Sequence, residues 1–276
     1  MMKIYYESNE GVKLDLLKRP YRLQTGDLFH YKWDYESTKY SGIITNFKKG
    51  VQEKKLTIAI SSSNKLGYYD AINHFFETTE KDIMKGNPGK LYVGNQFLYC
   101  YIYGSEKTDW ECDCDTLDND IFIVAESAFW ITEEKTSFEK YNGNGSNQFL
   151  NYPYNFPYNY TSMRKGFSKL KNEHYAPAHF LMTIYGPVVN PMVIIGGHTC
   201  VVNTTIRENE YLEIDSRNKS AIRTLIDGTE VNEFNNRGQR IFERIPPGEL
   251  TVNWSGEFGF DIVLYYERSE PKWIQG

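Results

Sequence analysis

Between Pro177 and Trp273 the sequence is a train of short alternating segments cut by glycine and proline turns, and that period confines this third of the chain to β structure. The segments are 178–186, 190–197, 211–215, 246–254 and a last strand closing on Pro271-Lys272-Trp273. In the run 258–266 the two-residue period puts Phe258, Phe260, Ile262, Leu264 and Tyr266 on one face. Gly196-Gly197 and Asp227-Gly228 are hairpin dipeptides, and Pro246-Pro247-Gly248 is a stiff turn. Short strands with turn signals at regular spacing predict a β-sandwich. Its charges fall singly on the solvent faces, and no catalytic constellation interrupts it.

The opening third is also β. Val12, Leu14 and Leu16 share one face of a short strand. Residues 29–36 place Phe29, Tyr31, Trp33 and Tyr35 on one side and His30, Lys32, Asp34 and Glu36 on the other, a strand with one wet side. Leu56, Ile58 and Ile60 repeat the pattern. Then the period changes. Tyr68, Ile72, Phe75, Phe76 and Ile83 predict an amphipathic helix of roughly four turns, stopped by Gly86 and Pro88 with Lys85 in its last turn. A strand and tight turn over 88–95 lead into 96–103, apolar on both faces and therefore central in its sheet; 120–126 is another strand. Residues 141–160, rich in Asn, Gly, Pro and Tyr, have no period and read as a connection. The predicted organisation is an N-terminal domain over 1–140, a connector over 141–164 and a C-terminal sandwich over 165–276.

Aromatic residues make up 16% of the chain, which favours strands and contact surfaces. A net charge of −5 with no basic stripe argues against nucleic-acid binding. No apolar run is long enough to span a membrane, and the first residues lack the apolar core of a secretory signal, so synthesis in a cytoplasm is expected. Cys100 and Cys200 sit in apolar strand patterns and read as buried thiols. Cys112 and Cys114 lie in an acidic loop that lacks the further ligands a metal needs, and that loop does not match a calcium-binding EF-hand either. His30, His74, His174, His179 and His198 share no metal spacing. No nucleophile elbow, zinc-protease motif or phosphate loop occurs, so no catalytic residue, cofactor or metal site is assigned. Trp33, Trp130 and Trp254 fit buried strand positions, leaving Trp110 and Trp273 as candidate exposed aromatic contacts. Such rings on a sandwich suit sugar stacking, so a carbohydrate-binding adhesion protein is the alternative reading; a sandwich-type glycoside hydrolase is a second rival.

The order of these parts resembles the distal tail protein family of long-tailed bacteriophages that infect Gram-positive hosts. In the first domain the resemblance rests on 11–16, the helix over 69–84, and the runs 89–102 and 123–130. In the second it rests on Tyr185-Gly186-Pro187 with Asn190-Pro191, then 211–215, 246–248 and the closing Pro271-Lys272-Trp273. The resemblance implies a mainly β protein: an N-terminal β domain with one helix and an extended hairpin, followed by a galectin-like β-sandwich. It implies a non-enzymatic virion component at the tail tip. Six copies would form a ring through the N-terminal domains, joining the tail tube protein to the hub and to receptor-binding or baseplate proteins, with DNA only passing through. A ring of identical subunits needs a heterologous, self-closing interface, and edge-to-edge strand addition is a direct route. The candidate edge is therefore Val12, Leu14 and Leu16 together with Phe29, Tyr31, Trp33 and Tyr35.

Overall fold

The computed structural model describes residues 3–107, 116–141 and 167–273. Trp110, Cys112, Cys114 and all of the 141–164 connector except Tyr141 lie outside the described residues. The chain divides into two compact units, residues 1–132 with 267–276, and residues 133–266. The closing residues thus belong to the first unit, although in sequence they end the second.

In the first unit the strands are β1 (Ile4–Glu7), β2 (Lys13–Asp15), β3 (Tyr21–Gly26), β4 (Asp34–Ser37), β5 (Ile44–Lys48) and β6 (Gln52–Ser61). Helix α1 (Lys65–Lys85) follows, then β7 (Gly89–Val93), β8 (Gln96–Lys107), β9 (Thr116–Ala125) and the start of β10 (Trp130–Phe138). Seven strands are antiparallel neighbours in the order β3-β6-β9-β8-β7-β1-β2. Leu23 N–H donates to the Leu16 carbonyl at 2.7 Å, so the two ends of that order meet and the sheet closes on a single core. The period-two reading holds where it matters: Leu56, Ile58 and Ile60 on β6 and Leu98, Cys100 and Ile102 on β8 all face that core. Tyr99, Tyr101 and Tyr103 take the opposite side of β8, which lies between β7 and β9, the central position its two apolar faces predicted.

The helix begins where the Asn64 side chain accepts the Gly67 N–H at 2.7 Å, and it ends at Gly86 in the left-handed conformation (φ 65°). Its buried stripe runs Tyr68, Ala71, Phe75, Thr78, Thr79 and Asp82. Ile72 and Phe76 pack beside the stripe, but Ile83 is turned about 100° from Asp82 and stays exposed. The buried carboxylate has a structural task. Asp82 accepts the Tyr6 hydroxyl at 2.6 Å and the Asn9 N–H at 3.1 Å, pinning β1 and its following turn to the helix.

The second unit adds β11 (Phe167–Asn172), β12 (His179–Tyr185), β13 (Val188–Val189), β14 (Met192–Ile195), β15 (His198–Val201), β16 (Thr205–Ile206), β17 (Tyr211–Asp215) and β18 (Ser220–Thr224). Strand β19 (Glu230–Asn232), a short 3-10 turn (Phe234–Asn236), β20 (Gly248–Trp254) and β21 (Phe260–Arg268) complete it. One sheet orders β19-β18-β17-β12-β21, and the other β11-β20-β14-β15. Phe180, Met182, Ile184, Leu212, Ile214, Ile262 and Leu264 from the first sheet share a core with Leu170, Val193, Ile195, Cys200 and Val252 from the second. This is the two-sheet sandwich that the alternating strands predicted. Gly196 and Gly197 (φ 56° and 87°) turn β14 into β15, the left-handed pair such a tight hairpin demands.

Candidate functional site

Among the described residues, strands β4 and β5 pair only with each other. Their register sets Tyr35 opposite Phe47 and Glu36 opposite Asn46, with a bulge before Ser37. The ribbon is held by its backbone ladder, by Thr45 Oγ1 donating to the Glu36 carbonyl at 3.1 Å, and by an ion pair between Lys48 and Glu36. All four residues of β4 and all five of β5 are exposed, so neither face of the ribbon rests on a core. Yet Tyr35, Tyr40, Ile43, Phe47 and Val51 carry large apolar side chains that are each more than half exposed. An isolated two-stranded hairpin is marginal in water. This one sets Tyr35 and Phe47 side by side on one face and Glu36, Asn46 and Lys48 on the other, and its apolar face is left uncovered.

The hairpin is anchored at its root. Before β4, Phe29 stacks on Trp273 (centroids 4.1 Å apart, 17° between planes), and Trp33 meets Phe129 edge-on at 5.7 Å. After β5, Lys49 Nζ lies 4.4 Å from the Phe129 ring centre and 5.7 Å from that of Trp33. Burial lowers the Lys49 pKa to about 8, with the neighbouring Lys54 adding to the depression and Glu267 opposing it. Lys54 is buried and donates to the carbonyls of Asp27 (3.0 Å) and His30 (2.6 Å), closing the turn ahead of the hairpin.

These placements redistribute the predicted edge residues. Leu14 and Leu16 are buried in the core, and Val12 packs against it. Only the backbone of β2 could make edge contacts, and that edge is taken: β1 pairs with one side, and just past β2 the Leu16 carbonyl accepts the Leu23 N–H where the sheet closes. The predicted strand over 29–36 is a strand only from Asp34, and it has two wet sides instead of one. Phe29 is half-buried against Trp273, whereas Tyr31, Trp33 and Tyr35 are exposed. Trp33 thus departs from the buried position its alternation implied: it stands ahead of β4 at the hairpin root, edge-on to Phe129 and 37% exposed. Trp130 is fully buried and Trp254 partly so. Trp273 is exposed, but it stands in the first unit, not on the sandwich, and Phe29 occupies one face of its indole. The surface residues that sequence reasoning missed are Tyr40, Ile43, Phe47 and Val51. Their signal was present, a β-rich stretch without a single clean alternation, but it did not separate a ribbon from a loop.

The second unit brings together two groupings that superficially resemble catalytic sets. His179 Nδ1 lies 3.1 Å from Ser216 Oγ. Ser216 is buried and accepts the Phe180 N–H at 2.7 Å, while burial, aided by Arg244 and Arg217, lowers the His179 pKa to about 4. A general base works best near the operating pH and its nucleophile must be reachable. This pair has neither property and serves to join β12 to the end of β17. The paired carboxylates Glu210 and Glu233 are both held by Arg223, at 3.0 and 2.8 Å. The Arg207 N–H and Arg223 keep Glu210 below the usual carboxylate range; burial pushes Glu233 up, but bonds from Arg223, Asn236 and Thr204 outweigh it. Two carboxylates locked in the ionised state cannot supply the acid that glycoside cleavage requires. Among the described residues, no cluster of three or more His, Cys, Asp or Glu side chains could hold a metal ion, and no helix is long and apolar enough to cross a membrane.

No protein-family model matches the sequence, and no curated protein matches it significantly. Solved structures do match in fold. The SPP1 Dit protein, described as a paradigm of the hub adsorption apparatus in phages infecting Gram-positive hosts, aligns at a TM-score of 0.59 and 9% identity, over 97% of this chain and 99% of its own. A chain of the phage P2 baseplate in its activated, calcium-bound conformation aligns at 0.61 and 11% identity, over 98% of this chain and 100% of its own. The strontium-bound form gives 0.64 and 12% over the same shares. The chain has the fold of phage hub and baseplate proteins. Agreement runs end to end at an identity of 9–12%, so the same architecture is built from largely different side chains.

Proposed function

We propose that this chain is a structural distal tail protein of a phage or phage-tail-like particle, a non-enzymatic component that closes into a six-membered ring. The ring joins the tail tube to the hub and host-adhesion apparatus at the virion tail tip, and DNA only passes through it. The observation that carries this reading is the fold match over nearly the whole of both chains. The exposed hairpin gives the match a physical use: apolar side chains without a core of their own contribute to stability once a neighbouring copy covers them. Tyr31, Trp33 and Tyr35 stay in the proposed interface, joined by Tyr40, Ile43 and Phe47; Leu14 and Leu16 support it from the core.

The test is the mass of the purified full chain by light scattering after size exclusion, with negative-stain imaging of the same peak. Closed six-membered rings are expected at high protein concentration. A chain that stays monomeric at every concentration, and also when mixed with its tail tube protein, would overturn the ring.

A further inference from the structure

We propose that Ser269–Trp273, the stretch that follows β21, is a strap that holds the hairpin root and so preorganises β4 and β5 for capture by the next copy of the chain; this rests on the ring reading above. The strap is itself fixed to the body of the first unit. Lys272 N–H donates to Gln96 Oε1 at 2.8 Å, and Gln96 Nε2 donates back to the Lys272 carbonyl at 3.3 Å, a reciprocal pair on a buried side chain at the start of β8. From that fixed point the strap reaches both arms of the root. Toward β4, the Trp273 ring stacks on Phe29, and Ser269 Oγ accepts the Trp33 Nε1–H at 3.0 Å. Toward β5, the Ser269 carbonyl accepts Lys49 Nζ at 3.4 Å.

The logic is one of preorganisation. A ribbon with no core beneath it is free to swing about its root, and fixing it in the capture-ready direction before encounter removes an ordering cost from association. Trp273 is 70% exposed, so its own burial contributes little to the core, and a ring kept outside the core fits a contact whose task is to hold Phe29. The strap also directly continues β21, most of which belongs to the second unit, so the element that presents the hairpin is covalently tied to the sandwich.

The full chain is tested as wild type, Trp273→Ala and Trp33→Phe, the last keeping an aromatic ring but losing the donor to Ser269. Hydrogen exchange at low concentration reads the root (residues 28–33 and 49–52), with α1 as internal control; light scattering reads the concentration at which rings form. The expected result for Trp273→Ala is root exchange faster by about 3- to 10-fold, unchanged α1 exchange, and ring formation shifted to higher concentration by a similar factor. Trp33→Phe should move both readouts the same way by less. Unchanged root exchange overturns the strap, as does acceleration spread equally over α1, which would mark general destabilisation. Faster root exchange with unshifted assembly overturns its role in capture. If wild type forms no rings, the ring reading fails, and the strap stands or falls on root exchange alone.

Discussion

Replacing Phe47 and Ile43 together by aspartate should abolish assembly while leaving the monomer folded. Both side chains belong to the exposed hairpin, at 57% and 63% exposure, and neither belongs to either core. In the monomer such surface changes stay within about 0.5 kcal/mol. In an assembled ring, covering the rest of each side chain would contribute about 1–2 kcal/mol, from about 1.5–3 kcal/mol for complete burial of a residue of that size. The two together supply about 2–4 kcal/mol per contact, or about 30- to 1,000-fold in affinity. Two desolvated carboxylates in their place add a further opposing term. The assay is light scattering across a 100-fold concentration series, with thermal unfolding of the same samples. Rings persisting in the double variant at wild-type concentrations would refute the reasoning. So would a fall of several degrees in the melting temperature of the monomer, because the two side chains would then be serving the fold.

Tyr6→Phe removes the hydroxyl that Asp82 accepts and leaves a buried carboxylate oxygen short of a donor, so unfolding in urea should show a loss of about 1–3 kcal/mol. Cys100 and Cys200 are buried with thiol pKa values pushed up to about 12 by that burial, so peptide mapping after maleimide treatment at pH 7.5 should find both unlabelled in the native chain and labelled in denaturant. His179 has its pKa lowered from 6.5 to about 4, so between those values the unfolded chain binds more protons and stability falls as the pH drops from 6.5 toward 4. His179→Gln should flatten that part of the stability profile measured by urea unfolding, and an unchanged slope would show that the imidazole is not held neutral. Arg223→Met strands two carboxylates that now share one guanidinium and should destabilise the second unit, measured as a lower urea midpoint.

The strands, the helix and the sandwich of the second unit were legible in the sequence because they depend on local period. Alternation along 178–186 and 258–266 becomes a core face wherever a second layer covers it, and in the sandwich one does. The helix showed its C-terminal end through Lys85 and Gly86, which act within a turn of themselves; its N-cap, Asn64, came only with the structure. Period fails where the partner is remote. The alternation of Phe29, Tyr31, Trp33 and Tyr35 resembles that of Leu56, Ile58 and Ile60, yet the first run lies at the root and on the arm of an uncovered hairpin and the second is core. Nothing in either run says what stands above it. Burial of Asp82 was likewise hidden, since its hydroxyl partner lies 76 residues away. The sequence alone determined that the chain is mainly β, with one helix and a C-terminal sandwich, because backbone pairing and side-chain period act over a few residues. Only the tertiary structure decided which apolar side chains are core and which stay exposed, and that the closing residues return to bond with the hairpin root, because those outcomes depend on contacts spanning more than 200 residues of chain.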